Sequence, residues 1–94
     1  MCEIYANTDP QLYEAHSKSV RLRGFVTSVR LEQRFWTLLE EIAGSEGMST
    51  SQFMAKLYDE VVEKRGEVGN FASLLRVVCA TYLERKYSAG LIAV

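Results

Sequence analysis

The stretch "RGFVTSVRLEQRFW", Arg23 to Trp36, begins with the alternation of a strand and ends with the spacing of a helix, with no turn residue between. From Ser19 to Leu31 the period is two: Val20 and Leu22 share one parity, Gly24 interrupts, and Phe25, Thr27, Val29 and Leu31 share the other. The switch at Gly24 reads as a bulge or as a tight turn that would fold residues 19–23 back on 25–31 as a local hairpin. Further on, Phe35, Leu38, Leu39 and Ile42 recur at i, i+3, i+4 and i+7 beside Trp36, so a core helix is expected roughly from Gln33 to Ala43. A strand with no certain partner in its own chain must satisfy its backbone elsewhere. The economical partner is the same segment of a second copy, paired antiparallel about a twofold axis.

Outward from this stretch the element ends are well marked. "GSEG" closes the first core helix, and Ser49 with Gln52 three residues later fits a capping box that opens a second. That helix carries Phe53, Met54, Leu57, Tyr58, Val61 and Val62, and closes with "EKRG", basic residues before a C′-type glycine. Asn70 caps a third helix with Phe71, Leu74, Leu75, Val78 and Tyr82 on one face. Near the start, Asp9 and Pro10 read as a cap and a first helical position. The chain divides into an N-terminal arm (1–18), a central domain (19–87) and a short apolar tail (88–94) that packs on a neighbour or frays.

Composition narrows the function. At 94 residues a monomer buries only a modest fraction of its surface, and the 48% hydrophobic content with a single proline speaks against disorder. Apolar runs are too short to span a membrane and the first residues lack a secretion-signal pattern, so a cytoplasmic, bacterial-type protein is expected. Cys2 and Cys79 lie far apart, and His16 is the single histidine, which gives no metal site, no disulfide framework and no cofactor. Cys79 reads as a small buried hydrophobe. An N-terminal Cys2 nucleophile would need a layered enzyme fold that a chain of this length does not supply, and no nucleotide loop or catalytic triad is present. No catalytic residue and no small-molecule substrate are therefore expected. Charge is segregated: Lys18, Arg21, Arg23, Arg30 and Arg34 against Glu32 give residues 18–34 a charge of +4, while the rest of the chain, with six basic and eleven acidic residues, carries −5. This is the pattern of a small module with one basic face.

The strand "FVTSVRL", the helix "FWTLLEEIA" and the "GMSTSQFM" entry to the second helix together resemble the ribbon-helix-helix superfamily of the Arc, MetJ and CopG class. "TSVRLE" followed by "FW" and later "NFASLLRV" resemble a bacterial subfamily that adds a third helix, which extends the likeness over roughly Ser19 to Leu83. The resemblance implies a mainly α fold with one ribbon strand: a homodimer whose two-stranded antiparallel sheet forms between subunits, plus a C-terminal third helix. It implies a sequence-specific DNA-binding transcriptional regulator that inserts its ribbon into the major groove, a mode known for β-ribbon readers. The partners would be double-stranded DNA, as a palindromic operator, and further copies of the chain, as a homodimer or an assembly of dimers in which the third helix extends the dimer core or joins dimers.

Strand alternation then assigns roles. Val26, Ser28 and Arg30 point out as base-contacting candidates: Arg30 for guanine, Ser28 as donor or acceptor, Val26 for a thymine methyl. Lys18, Arg21 and Arg23, with the helix start at Ser49, Thr50 and Ser51, are the phosphate-contacting candidates. Phe25, Val29, Leu31, Phe35, Trp36, Leu39, Phe53 and Leu57 are expected in the core or dimer interface. The competing reading is a homodimeric protein-interaction module on the same scaffold, with Val26 in the ribbon and the apolar third helix and tail as its docking surface.

Overall fold

A computed structural model describes residues 2–93, with side chains through residue 90. A short helix α1 (Cys2–Ala6) and a 3₁₀ turn (Pro10–Tyr13) lead into strands β1 (Ala15–Leu22) and β2 (Phe25–Glu32), followed by α2 (Gln33–Ser45), α3 (Thr50–Arg65) and α4 (Phe71–Ala93). Asp9 caps the 3₁₀ turn by accepting from the Gln11 N–H at 3.0 Å, with Pro10 inside it.

The two strands pair with each other in an antiparallel sheet. The segment before Gly24 is therefore a full eight-residue strand that begins at Ala15, earlier than its alternation suggested, and the local hairpin is the form adopted. The cause lies in two residues. Arg23 at φ 49° and Gly24 at φ 86° supply the two positive φ angles that a two-residue type I′ turn requires. Glycine reaches this region without strain, and arginine takes the position beside it at a modest cost.

The inner face of the hairpin carries Val20, Leu22, Val29 and Leu31, which join Trp36, Leu38, Leu39, Ile42, Met54, Leu75 and Cys79 in one buried cluster. Trp36 is anchored as well as buried: its indole N–H donates to the His16 carbonyl at 3.0 Å, tying α2 to β1. Phe35, Phe53 and Leu57 pack against the cluster half-buried. Phe25, expected in the core or the dimer interface, lies outside the buried cluster of the single chain. It has inner-face parity, but at the hairpin tip it is 48% exposed and makes an edge contact with Tyr58, 6.0 Å between ring centres.

The helix ends follow their sequence signals. Ser49 Oγ accepts from the Gln52 N–H at 3.1 Å while Gln52 Oε1 accepts from the Ser49 N–H at 2.9 Å, completing the capping box. The Gly66 N–H donates to the Val62 carbonyl at 2.7 Å with φ 86°, closing α3. Asn70 Oδ1 accepts from the Ser73 N–H at 3.0 Å and opens α4. That last helix runs on through residues 88–93 of the expected tail, residue 94 lying outside the described residues, and beyond Leu83 its described side chains are exposed. Cys79 lies in the cluster, where burial pushes its thiol pKa up to about 11.

Candidate nucleic-acid interface

Paired residues of an antiparallel ladder project to the same face. The register sets Ser17 against Arg30, Ser19 against Ser28 and Arg21 against Val26, and all six are exposed. The outer face of the hairpin is thus a compact patch of three serines, two arginines and one valine, with no acid between residues 17–21 or 26–30. Among the described residues neither Arg21 nor Arg30 has an ion-pair partner, so both guanidinium groups face solvent.

The backbone of the same residues points outward in the plane of the sheet. The Gln33 N–H donates to the Glu14 carbonyl at 2.8 Å, and a two-residue turn closes the ladder at Leu22 and Phe25. Both fix one phase: even residues of β1 bond across to β2, while Ser17, Ser19 and Arg21 on one edge and Val26, Ser28 and Arg30 on the other direct N–H and C=O away from the hairpin.

Two basic residues assigned to phosphate by sequence lie elsewhere. Lys18 has inner-face parity and sets its Nζ over the Trp36 ring, 4.8 Å from the centroid, so its side chain turns away from Arg21 and Arg30. Arg23 sits in the turn and donates from Nε to Asp59 Oδ1 at 2.8 Å, fastening the hairpin tip to the middle of α3. Ser49, Thr50 and Ser51 stand on a separate element, where the capping box engages the N–H groups of Ser49 and Gln52. The first-turn N–H groups of Thr50 and Ser51 have no acceptor within the helix.

Sequence reasoning misses Ser17 and Ser19 as members of this face. In "HSKSVRL" polar residues occupy both parities until Val20, so the alternation that would assign them is masked by His16 and Lys18 on the inner side.

Away from the hairpin, the polar contacts join elements. Arg76 holds Glu32 through Nε to Oε1 at 3.0 Å, bridging α4 to the end of β2, and this hydrogen bond lowers the Glu32 pKa below its ordinary value. Glu41 accepts from Lys86 Nζ at 2.8 Å and from the Tyr82 hydroxyl, which lowers the Glu41 pKa and raises those of both donors. Among the described residues no group of three His, Cys, Asp or Glu side chains is placed to hold a metal, and no helix is long and apolar enough to cross a membrane.

The hairpin followed by capped helices is also what comparison with known proteins finds. A model of the ribbon-helix-helix domain matches residues 15–83, from the first residue of β1 into α4. The chain belongs to the ribbon-helix-helix family. A solved structure, that of an uncharacterized protein from Bordetella pertussis Tohama I, is similar at 47% identity and a TM-score of 0.92, covering 95% of this chain and 71% of that one. No curated protein matches the chain. In this ribbon-helix-helix protein the family match includes all of β1, so the hairpin is part of the matched domain and not an appendage to it.

Proposed function

We propose that the protein is a homodimeric, cytoplasmic transcriptional regulator that binds DNA sequence-specifically through the hairpin's outer face. The observation that carries this reading is the acid-free patch in which Arg21 and Arg30, without an ion-pair partner among the described residues, stand among serines. Arginine is suited to two hydrogen bonds with guanine O6 and N7, serine donates or accepts, and the major groove admits a β-ribbon. Arg30, Ser28 and Val26 would meet base edges, while the N-termini of α3 and the remaining basic residues would meet phosphates. Lys18 and Arg23 contribute less directly, since one packs on Trp36 and the other is engaged by Asp59.

Dimerisation is supported by incomplete burial. Of the sixteen residues in α3 only Met54 is fully buried, and Phe53, Leu57, Tyr58, Val61 and Val62 remain half-buried. A second subunit would cover them, as expected for a chain this small. The protein-interaction alternative has its own support in Val77, Leu83 and Tyr87, which α4 leaves exposed.

Fluorescence anisotropy with random duplexes across a salt series, with sequencing of the bound fraction, separates the two. Wild type should bind with a steep negative salt dependence and enrich a palindrome. Arg30→Ala should lose about 1–3 kcal/mol of discrimination at one base pair of each half-site. No binding at low salt by a folded dimer would favour the interaction module.

A further inference from the structure

We propose that the dimer sheet has four strands in the order β1-β2-β2-β1, and that β1 lies over the two phosphate walls of the groove, contacting them through Ser17, Ser19 and Arg21. This rests on the DNA-binding reading above and adds a role for a strand that a two-stranded ribbon does not have.

The first step is which edge pairs. An inward-pointing charge is a device that keeps a strand edge from pairing, and β1 has one: Lys18, on the inner face over Trp36. The inner-face residues of β2 are Phe25, Thr27, Val29 and Leu31, aromatic, β-branched or aliphatic and without charge, and they suit a strand flanked on both sides. The free edge of β2 is therefore the seam, and that of β1 the outer rim.

The second step is register. Val26, Ser28 and Arg30 are the β2 residues whose backbone points away from β1, so a twofold axis at Ser28 uses all three from each chain. Ser28 then faces the partner's Ser28, and Val26 faces the partner's Arg30. This register also keeps the two Arg30 side chains from standing directly opposite one another. Across the outer face a central row of four serines, Ser19 and Ser28 from each subunit, is flanked by two rows that each hold two arginines.

The third step is width. Strands lie about 4.8 Å apart, so β2 sits roughly 2.4 Å and β1 roughly 7 Å from the axis. The major groove is about 12 Å wide, with walls about 6 Å from its middle. The β2 pair fits between the walls and faces bases; the β1 pair reaches the walls and faces phosphates. Arg21 and the two serine hydroxyls are groups that phosphate oxygens accept hydrogen bonds from.

Two measurements decide this, and only one needs DNA. In a Cys2→Ser background, which leaves only the buried Cys79, Ser28→Cys should form a disulfide-linked dimer on mild oxidation, because directly paired residues at such a position have Cα atoms about 5.5 Å apart. Ser19→Cys in the same background should remain unlinked. Cross-linking through Ser19→Cys, or none through Ser28→Cys in a protein that remains a dimer, overturns the strand order.

The second measurement is the salt slope of DNA binding. Arg21→Ala should weaken binding to all duplexes alike and reduce the slope by about 2 for the dimer, one phosphate per subunit, with the selected sequence unchanged. A changed sequence preference would make β1 a base reader, and an unchanged slope would take it off the DNA; either result overturns the phosphate role. Absence of any wild-type binding removes that role together with the DNA reading, and the cross-linking result then decides the strand order by itself.

Discussion

The two faces of the hairpin are built from alternate residues of the same two strands, and they meet different environments. On the inner face Val20, Leu22, Val29 and Leu31 are at most 5% exposed and packed in the common core. On the outer face their immediate neighbours Arg21, Ser28 and Arg30 are exposed, and Val26 is 59% exposed. One parity holds the helices on the sheet, and the other is free of that duty. The difference teaches that burial in the core and exposure to solvent alternate here at single-residue spacing, so that one face can change without the other.

The most forceful attempt to break this division compares Leu31 with Arg30, its neighbour in β2. Leu31→Ala should cost about 2–5 kcal/mol, because the residue is fully buried between the sheet and the helices and its removal leaves a cavity. Arg30→Ala should change stability by no more than about 0.5 kcal/mol, as an exposed side chain with no ion pair among the described residues. Denaturant titrations at equal protein concentration measure both, the concentration being fixed because a dimer's stability depends on it. Equal losses would mean that the outer face is a structural element too.

A smaller effect tests what brings the two strands together. An added Cβ at Gly24 would meet no atom within 4 Å, so Gly24→Ala creates no clash. At φ 86° the cost is conformational, about 1–2 kcal/mol, and should show in the same titration. A neutral substitution would show that the turn adapts, and that the register is held by inner-face packing alone.

Much of this was legible in sequence, for physical reasons that also explain what was not. The α2 stripe, the Ser49–Gln52 box, the Gly66 stop and the Asn70 cap each depend on residues within a few positions of one another, so local chemistry was enough to find them. The outward parity of Val26, Ser28 and Arg30 followed from strand alternation and is what the register gives. The partner of β2 was harder to read. The turn that joins it to β1 is Arg-Gly, where the usual hairpin signal is Asn-Gly or Asp-Gly, and the first residues of β1 are polar on both faces. Lys18 belongs to the same class: its ammonium rests over buried Trp36, on a different element far along the chain, in a cation–π contact that no spacing rule reveals. Arg23 is engaged by Asp59, thirty-six positions away, and was equally invisible from local pattern. Long-range pairings decide which charges remain free, and they are set by the fold and not by the charge count.

Glu32 sharpens the comparison at its boundary. By parity it belongs with Ser28 and Arg30 on the outer face, but β2 ends there and Arg76 of α4 takes hold of its carboxylate. That hydrogen bond, followed by its own backbone N–H and the charges of Arg76 and Arg30, holds the Glu32 pKa below 4.5 against an opposing desolvation. A carboxylate whose pKa is depressed by folding contributes stability that is fully present above its unfolded value and is lost as pH falls through the folded one. Arg76→Met keeps an unbranched side chain beside Phe35 while removing the charge. The stability difference between wild type and this variant should be constant above about pH 5 and shrink as pH falls below the ordinary carboxylate value. Both side chains are about a third exposed, 37% for Arg76 and 33% for Glu32, so solvent screening keeps the whole difference below about 1 kcal/mol. Denaturant midpoints measured from about pH 3 to about pH 7 span the window in which the carboxylate titrates. A difference that stayed constant on acidification would mean that Arg76 acts through its packing on Phe35 and not through its charge on the Glu32 carboxylate.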